Sequence, residues 1–494
     1  MDVSAVAHGG CGFPGLSSPA PKEVIRILWV NSAGSPDRGQ PVTGEDVLLS
    51  GVDGCNIMTK GGRVPIGMNR NLKILFVLLV ALHKGYGAEP VKNIIFMIGD
   101  GMGFQQVRAA AMYNGGPLSF ESFPYTAQQT TFSLPANSLT DSAAAATALA
   151  TGVKVNNSVI SLRIPGDAAR LETILEYAKK RGRRTGLVTT VTMTHATPAG
   201  FGAHATNRSE TARIASEYLN SSRPNVLLGG GGAGMNPVSA VAAGYTVVTN
   251  LAGMQAINPD AVEFLSGQFG SAELPYETEW SGSLPHLSQM TASALDLLDN
   301  DPDGFFLMVE GGLIDYAGHA NNIQRLIGET LEFGRAVAVV TNWATGRTDT
   351  LVLVTADHET GGLFALTNNG AGIIPSVVWT SGTHTVSNVP VYAWGDAGSY
   401  VSGTIDNTRH FAALTEAMLA PASNLAFQVS EPPLISVGGS VLSGAVYRLE
   451  SRESLVTGQW SFVQSSTATA PVIVLSDTNT SASRTRFYRF ISIP

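Results

Sequence analysis

Val91-Lys-Asn-Ile-Ile-Phe-Met-Ile98 runs directly into Gly99-Asp-Gly-Met-Gly103. An apolar, β-branched run of this length reads as a strand buried on both faces, and the glycines that follow read as the turn that ends it. The pattern returns along the chain. Thr185-Gly-Leu-Val-Thr-Thr-Val191, Asn225-Val-Leu-Leu228, Gly304-Phe-Phe-Leu-Met-Val309 and Thr350-Leu-Val-Leu-Val-Thr355 are further buried-strand candidates. Between them, Leu171–Arg181 and Gln289–Asp299 carry apolar residues at helical spacing. Strands alternating with helices predict an α/β fold, a three-layer sandwich around a central, mostly parallel sheet.

The 494 residues leave room for one large domain and a small one. From about Pro421 the character changes: 424–494 is rich in Ser, Thr and Val, with strand-like pieces at Ala445–Leu449 and Arg486–Phe490, and reads as a small C-terminal all-β domain. A net charge of -8 with no dense Lys/Arg run excludes a protein built to grip a phosphate backbone, so no nucleic-acid partner is expected.

Near the other end, Met68-Asn-Arg-Asn-Leu-Lys73 precedes the apolar run Ile74–Leu82 and a stretch of small residues ending at Ala88. A basic start, a short apolar core and small residues at the exit are the parts of a secretory signal peptide. The run falls short of the roughly 20 residues needed to span a bilayer. Residues 68–88 are thus expected to be a signal peptide with translation starting at Met68, and the Gly/Pro-rich 1–67 a start-site artefact or disordered. The mature chain is expected in the periplasm or outside the cell, with no transmembrane span. Both cysteines, Cys11 and Cys55, lie upstream of this segment, so disulfides and thiolate metal sites are excluded from the remainder.

What ends the strands carries the chemistry. The first ends at Asp100, the second leads into His195-Ala-Thr197, the fourth into Glu310-Gly-Gly312, and the fifth into Asp357-His-Glu359. In a parallel sheet the carboxyl ends of the strands line one rim, where ligands bind. Asp315 and His319 add a carboxylate and an imidazole four residues apart, on one face if the segment is helical. Several acids gathered on one rim need cations to neutralise them. Imidazoles beside carboxylates suit zinc, whereas the oxygen-only subset Asp100, Thr197 and Glu310 suits magnesium. The candidate nucleophile is Ser142, followed by four alanines that favour a helix and leave the serine near its N-terminus. There the dipole and free amides favour an alkoxide or a phosphate. No Gly-x-Ser-x-Gly surrounds it, so its activation is assigned to metal. Gly229–Gly232 lacks the Gly-Lys-Ser/Thr of a P-loop and reads as a flexible loop.

Asp100-Gly-Met-Gly, Thr140-Asp-Ser-Ala-Ala-Ala-Ala-Thr147, His195-Ala-Thr-Pro-Ala-Gly, Asn207-Arg208, Glu310-Gly-Gly-Leu-Ile-Asp315, Gly318-His319, Thr355-Ala-Asp-His-Glu-Thr-Gly-Gly362 and Thr383-His-Thr385 together resemble the alkaline phosphatase family, in the family's own order, over roughly 91–420. The resemblance implies a catalytic domain at 89–422 that hydrolyses small phosphate monoesters through a phosphoserine at Ser142, with two zinc ions and one magnesium ion. It implies that Asp315, His319 and His384 hold one zinc, and that Asp100, Asp357 and His358 hold the second beside Ser142. Asp100 would also reach the magnesium with Thr197 and Glu310, and His195 stands where the family usually reaches that ion through water. Arg208 would clasp two phosphate oxygens. Tyr316 departs from the Lys or His of the best-known members. The short stretch between His358 and His384 implies a minimal member without a crown-like insertion, and a homodimer would be usual. His204, His286 and His410 have no ligand role in the pattern and read as structural. A sulfatase is disfavoured because Asp141-Ser-Ala-Ala144 lacks Cys/Ser-x-Pro-x-Arg, and a diesterase because Arg208 would meet the second ester. A surface-binding protein with an inert core is disfavoured by the full ligand set. The 424–494 tail is expected to serve attachment or secretion.

Overall fold

Along the first strand of the core, Ile94, Phe96 and Ile98 pack into one hydrophobic cluster and Ile95 and Met97 into another, all fully buried. The period of two sends alternate side chains to opposite faces, so both faces must be covered. The structure, a computed structural model, describes residues 91–418 apart from Asn137 and Ser281. It also describes strands at Leu48–Ser50, Asn56–Thr59 and Gly62–Val64, and six strands from Ser423 to Ile493. The segment 68–88 and most of 1–67 lie outside the described residues.

Ten strands form the central sheet: β1 (Asn93–Gly99), β2 (Tyr125–Thr130), β3 (Arg184–Thr192), β4 (Val226–Gly230), β5 (Thr246–Val248), β6 (Leu265–Gln268), β7 (Phe305–Gly311), β8 (Thr350–Thr355), β9 (Val389–Trp394) and β10 (Gly403–Asp406). Their spatial order is β10-β2-β9-β8-β1-β7-β3-β4-β6-β5. The antiparallel pairings are those of β9 with β8 and β2; the other neighbours run parallel. All five strands expected from the sequence, β8, β1, β7, β3 and β4, lie side by side in the sheet.

Eight helices do most of the covering: α1 (Phe104–Asn114), α2 (Ser142–Thr151), α3 (Ile174–Lys179), α4 (Ala196–Gly202), α5 (Leu287–Leu298), α6 (Leu313–His319), α7 (Ile323–Ala344) and α8 (Arg409–Met418). Helices α1, α5 and α7 share the cluster of Ile95 and Met97, and α2, α3, α4 and α8 that of Ile94 and Phe96, which makes the three layers. Helix α3 begins later than the spacing predicts because Thr173 is its N-cap: the Thr173 hydroxyl accepts from Glu176 N–H, and the Glu176 carboxylate from Thr173 N–H. Gly229–Gly232 is not a free loop: Gly229 and Gly230 end β4, and Gly230, Gly231 and Gly232 pack against the backbone of Ala272, Gly270 and Ser271.

Contacts divide the chain into two compact units, one of them Lys84–Ser423 and the other including Asn424–Ile493. In the latter, Leu434–Ser440 pairs antiparallel with Val472–Asp477, and Val446–Arg452 with both Ser461–Thr467 and Phe487–Ile493, within two three-stranded sheets. No helix among the described residues is long and apolar enough to cross a membrane.

Candidate active site

Helix α2 starts at Ser142 because Asp141 caps it: one carboxylate oxygen accepts from Ala144 N–H at 3.0 Å. All ten residues of α2 are buried, since its alanines let α4 approach closely. The rigid seat brings Ser142 Oγ to 3.3 Å from His358 Nε2. Asp100 leaves β1, His195 caps α4 behind β3, Glu310 sits near the end of β7, and Asp357 and His358 follow β8. Asp315 and His319 lie in one short helix, α6, with His319 Nε2 3.4 Å from Asp315 Oδ2. His384 begins the two-residue strand His384–Thr385, paired antiparallel with Glu359–Thr360. Between those strands lies a hairpin of Leu363–Thr367 and Ser376–Trp379.

Hydrogen bonds fix the tautomers of three rings. His319 Nδ1 donates to Gly382 O at 2.9 Å, and His384 Nδ1 to Thr140 O at 2.8 Å, because a carbonyl can only accept. In the neutral rings both Nε2 atoms are then bare acceptors, yet they face each other at 3.2 Å, with Asp315 Oδ1 3.6 Å from His384 Nε2. Such acceptors turned inward repel unless a cation sits among them. The Thr360 hydroxyl donates to Asp315 Oδ1 at 2.5 Å, so His358 Nδ1 is the donor in its 3.3 Å contact with Thr360 Oγ1. That leaves His358 Nε2 bare, 3.2 Å from Asp357 Oδ2 and 3.5 Å from Asp100 Oδ1.

The electrostatics agree. Asp100, Glu310 and Asp357 are buried, and Asp100 Oδ1, Asp357 Oδ2 and Glu310 Oε1 find no hydrogen-bond partner among the described residues. Burial, then the charges of Asp357, Asp315 and Glu310, pushes the Asp100 carboxyl well above the usual range. Burial and Asp315 push Asp357 up to about 8, although the Gly101 N–H bond opposes this. Burial, then His384, Arg208 and His319, holds His358 well below an ordinary imidazole, which makes it a poor base for Ser142. Such a cluster fits cations: one set is Asp315, His319 and His384, and a second is Asp100, Asp315 and His358, with Asp357 Oδ2 3.2 Å from the same His358 Nε2 and Ser142 beside it. A third brings together Asp100, His195 and Glu310, and Thr197 lies beside it, its hydroxyl donating to Asp100 Oδ2 at 3.3 Å. Gly101 makes the closeness of the sets possible: at φ +73°, a Cβ there would lie 2.9 Å from both Asp315 Cα and Thr360 Oγ1.

Arg208 Nη2–H donates to His195 Nε2 at 2.8 Å, and Nη1–H reaches Asp141 Oδ2 at 3.4 Å. With Nε2 engaged, the His195 proton sits on Nδ1, 3.9 Å from Glu310 Oε1. As the ring stands, it offers the third set an N–H and no lone pair. The Tyr316 ring lies 6.0 Å from that of His195, edge to face, and its hydroxyl donates to Glu273 at 3.3 Å. His204 and His410 are buried away from this rim, with His410 satisfied by Tyr400 and Gln129, and His286 pairs with Glu277.

Sequence reasoning missed the supporting residues. Asp141 holds the guanidinium, Thr189 donates to Glu310 Oε2 at 2.5 Å, and Thr360 joins Asp315 to His358. Only Asp141 carried a readable signal, as an N-cap before an alanine run; a threonine in or beside a strand looks the same whatever it touches.

The chain matches the family model for alkaline phosphatase over 91–246 and 238–376. It is 31% identical over 409 residues to alkaline phosphatase 3 of Bacillus subtilis, covering 65% of this chain and 87% of that one. The cold-active alkaline phosphatase of a psychrophilic Shewanella superposes with a TM-score of 0.61 at 30% identity, over 66% of this chain and 99% of that one. The enzyme of the Antarctic bacterium TAB5 does so at 0.60 and 28%, over 67% and 98%, and variants of it have been solved with Mg bound in the M3 site. The chain therefore belongs to the alkaline phosphatase family, metal-dependent enzymes that hydrolyse phosphate monoesters.

Proposed function

We propose that this chain hydrolyses phosphate monoesters through a phosphoserine on Ser142, at a centre of two zinc ions and one magnesium ion. The observation that carries the reading is the convergence of bare imidazole nitrogens and unpartnered carboxylate oxygens beside a serine in the first turn of a buried helix. Asp315, His319 and His384 would hold one zinc; Asp100, Asp357 and His358, with Ser142, the other. Asp100, Thr197 and Glu310 would hold magnesium, with His195 reaching it through water. The magnesium held by the TAB5 variants supports that ion here. When bound, such ions supply positive charge that lowers the pKa of a hydroxyl or water and neutralises phosphate oxygens.

The chain's own groups do the rest. Ser142 Oγ attacks phosphorus, the ester oxygen leaves, and water then cleaves the phosphoserine to give inorganic phosphate. Arg208 clasps two non-bridging oxygens with its planar fork, and Asp141 and His195 hold that fork in place. Helix α2 keeps Ser142 at the positive end of its dipole. The monoester specificity rests on Arg208, which leaves no room for a second ester group. The Ile74–Leu82 segment supports secretion to the periplasm or beyond.

Ser142→Ala is expected to fold, keep its metal by elemental analysis and lose most turnover of p-nitrophenyl phosphate. Acid-quenched wild type should carry label from phosphate on Ser142 and the variant none. Near wild-type turnover in the variant would remove Ser142 from the mechanism.

A further inference from the structure

His358, Glu359 and Thr360 leave the end of β8 with alternating sides. His358 and Thr360 touch the site; Glu359 turns away from it and is nonetheless buried. Its Oε1 accepts from Gln106 Nε2 at 2.6 Å and from Leu363 N–H at 3.2 Å. Its Oε2 accepts from Gly362 N–H at 3.2 Å and from the Thr385 hydroxyl. All four donors are neutral, so the carboxylate gathers them by its charge and ties α1, the Gly362–Leu363 turn and the His384–Thr385 strand to one point. Gly103 leaves the room: a Cβ there would lie 2.4 Å from Glu359 Cγ.

The ladder beside this clamp is only two pairs long, Glu359 with Thr385 and Thr360 with His384. A two-stranded pairing is marginal by itself even at ordinary length. The carbonyl of Thr140 orients the His384 ring but does not hold its backbone. The strand is fixed against the His358 turn by Gly361 N–H, which donates to Thr383 O at 3.0 Å, and by the side-chain bond between Glu359 and Thr385, one residue from His384.

We infer that Glu359 is a positioning residue for metal binding: through Thr385 it keeps His384 facing His319 and Asp315, and the zinc affinity of that set depends on it. The inference rests on the zinc reading above. Glu359 touches neither the serine nor the ligand atoms of that set, so its effect should appear in metal affinity and not in the chemistry of the fully loaded enzyme.

The test uses the full chain as wild type, Glu359→Gln, Thr385→Val and Thr385→Ser. Zinc affinity is read by competition with a chromophoric chelator, and melting of the metal-free forms is followed in parallel. Glu359→Gln and Thr385→Val should each bind one zinc at least about tenfold more weakly, as loss of a group that orients a ligand usually does. Thr385→Ser, which keeps the hydroxyl, should bind as wild type, and excess zinc should restore turnover to Thr385→Val. Should Glu359→Gln not fold, the valine and serine variants decide the matter alone. Zinc affinity in Thr385→Val within twofold of wild type would overturn the inference. A wild-type chain that binds no zinc would instead overturn the metal reading beneath it.

Discussion

Asp141 divides its two carboxylate oxygens between folding and binding. One caps α2 through Ala144 N–H; the other accepts from Ser158 N–H at 2.9 Å and holds Arg208 at 3.4 Å. The long contact and the partial exposure of Arg208 mean that this ion pair contributes little by itself. Its value is to hold the guanidinium, together with His195, in one orientation. Arg208→Ala should therefore leave stability nearly unchanged while weakening inorganic phosphate as an inhibitor, by roughly 1.5–3 kcal/mol for a charge-assisted pair. An unchanged inhibition constant for phosphate would show that the guanidinium binds elsewhere. The proposed ligands were readable as residues because strand ends terminate in Asp, Glu and His. The tautomers were not, since they depend on the carbonyls of Thr140 and Gly382, which any residue supplies.

Helix α7 shows how an element can be tuned by one buried acid. Glu329 accepts from Glu277 N–H at 2.7 Å, and neighbouring Glu332 accepts from Ser288 N–H at 2.8 Å and from Arg335. Together they fasten the 277–288 segment to the helix. Burial, reinforced by the charges of Glu277, Glu332 and Glu279 and opposed by the Glu277 N–H bond, pushes Glu329 from 4.5 up to about 8. The folded chain then holds a proton that the unfolded chain releases above 4.5, so stability declines as pH rises from 4.5 towards 8 and levels off beyond. Glu329→Gln keeps an acceptor for Glu277 N–H and carries no charge. It should melt above wild type at pH 9 and lose that advantage near pH 5; equal melting at both would remove Glu329 as the cause. The elements that escaped sequence reading have physical reasons too. β2, Tyr125-Thr-Ala-Gln-Gln-Thr130, is polar and half-exposed, and is a strand because β9 and β10 flank it. β9 carries Pro390, which weakens a strand reading, while β5 and β6 are too short to show a period.

Taken together, the described core gathers Asp100, Glu310, Asp315 and Asp357 at one rim, all buried. Leaving them without cations sets the desolvation penalty against folding itself. A chelator should therefore abolish hydrolysis and also lower the melting temperature. Zinc with magnesium should restore both better than calcium, because the imidazoles of His319, His358 and His384 favour zinc over a hard ion. A chelated chain that is confirmed metal-free yet fully active would end the metal reading.

The catalytic core closes on itself before the last six strands begin. Val91 N–H donates to Ala417 O at 3.0 Å, and Leu414 and Met418 of α8 are buried in the cluster that includes Ile94 and Phe96. Every proposed ligand, the proposed nucleophile Ser142 and Arg208 lie between Asp100 and His384, and residues 424–494 contain no histidine that could complete a zinc set. The β sheets after Ser423 pair among themselves. Truncation after Ser423 should therefore leave kcat and KM for p-nitrophenyl phosphate close to those of the full chain. What should change is where the enzyme resides, if the tail serves attachment or secretion; fractionation of cells expressing both forms measures this. A truncated chain that is soluble and folded by circular dichroism yet inactive would place the tail within the catalytic unit, and the division at 422–424 would have to be abandoned.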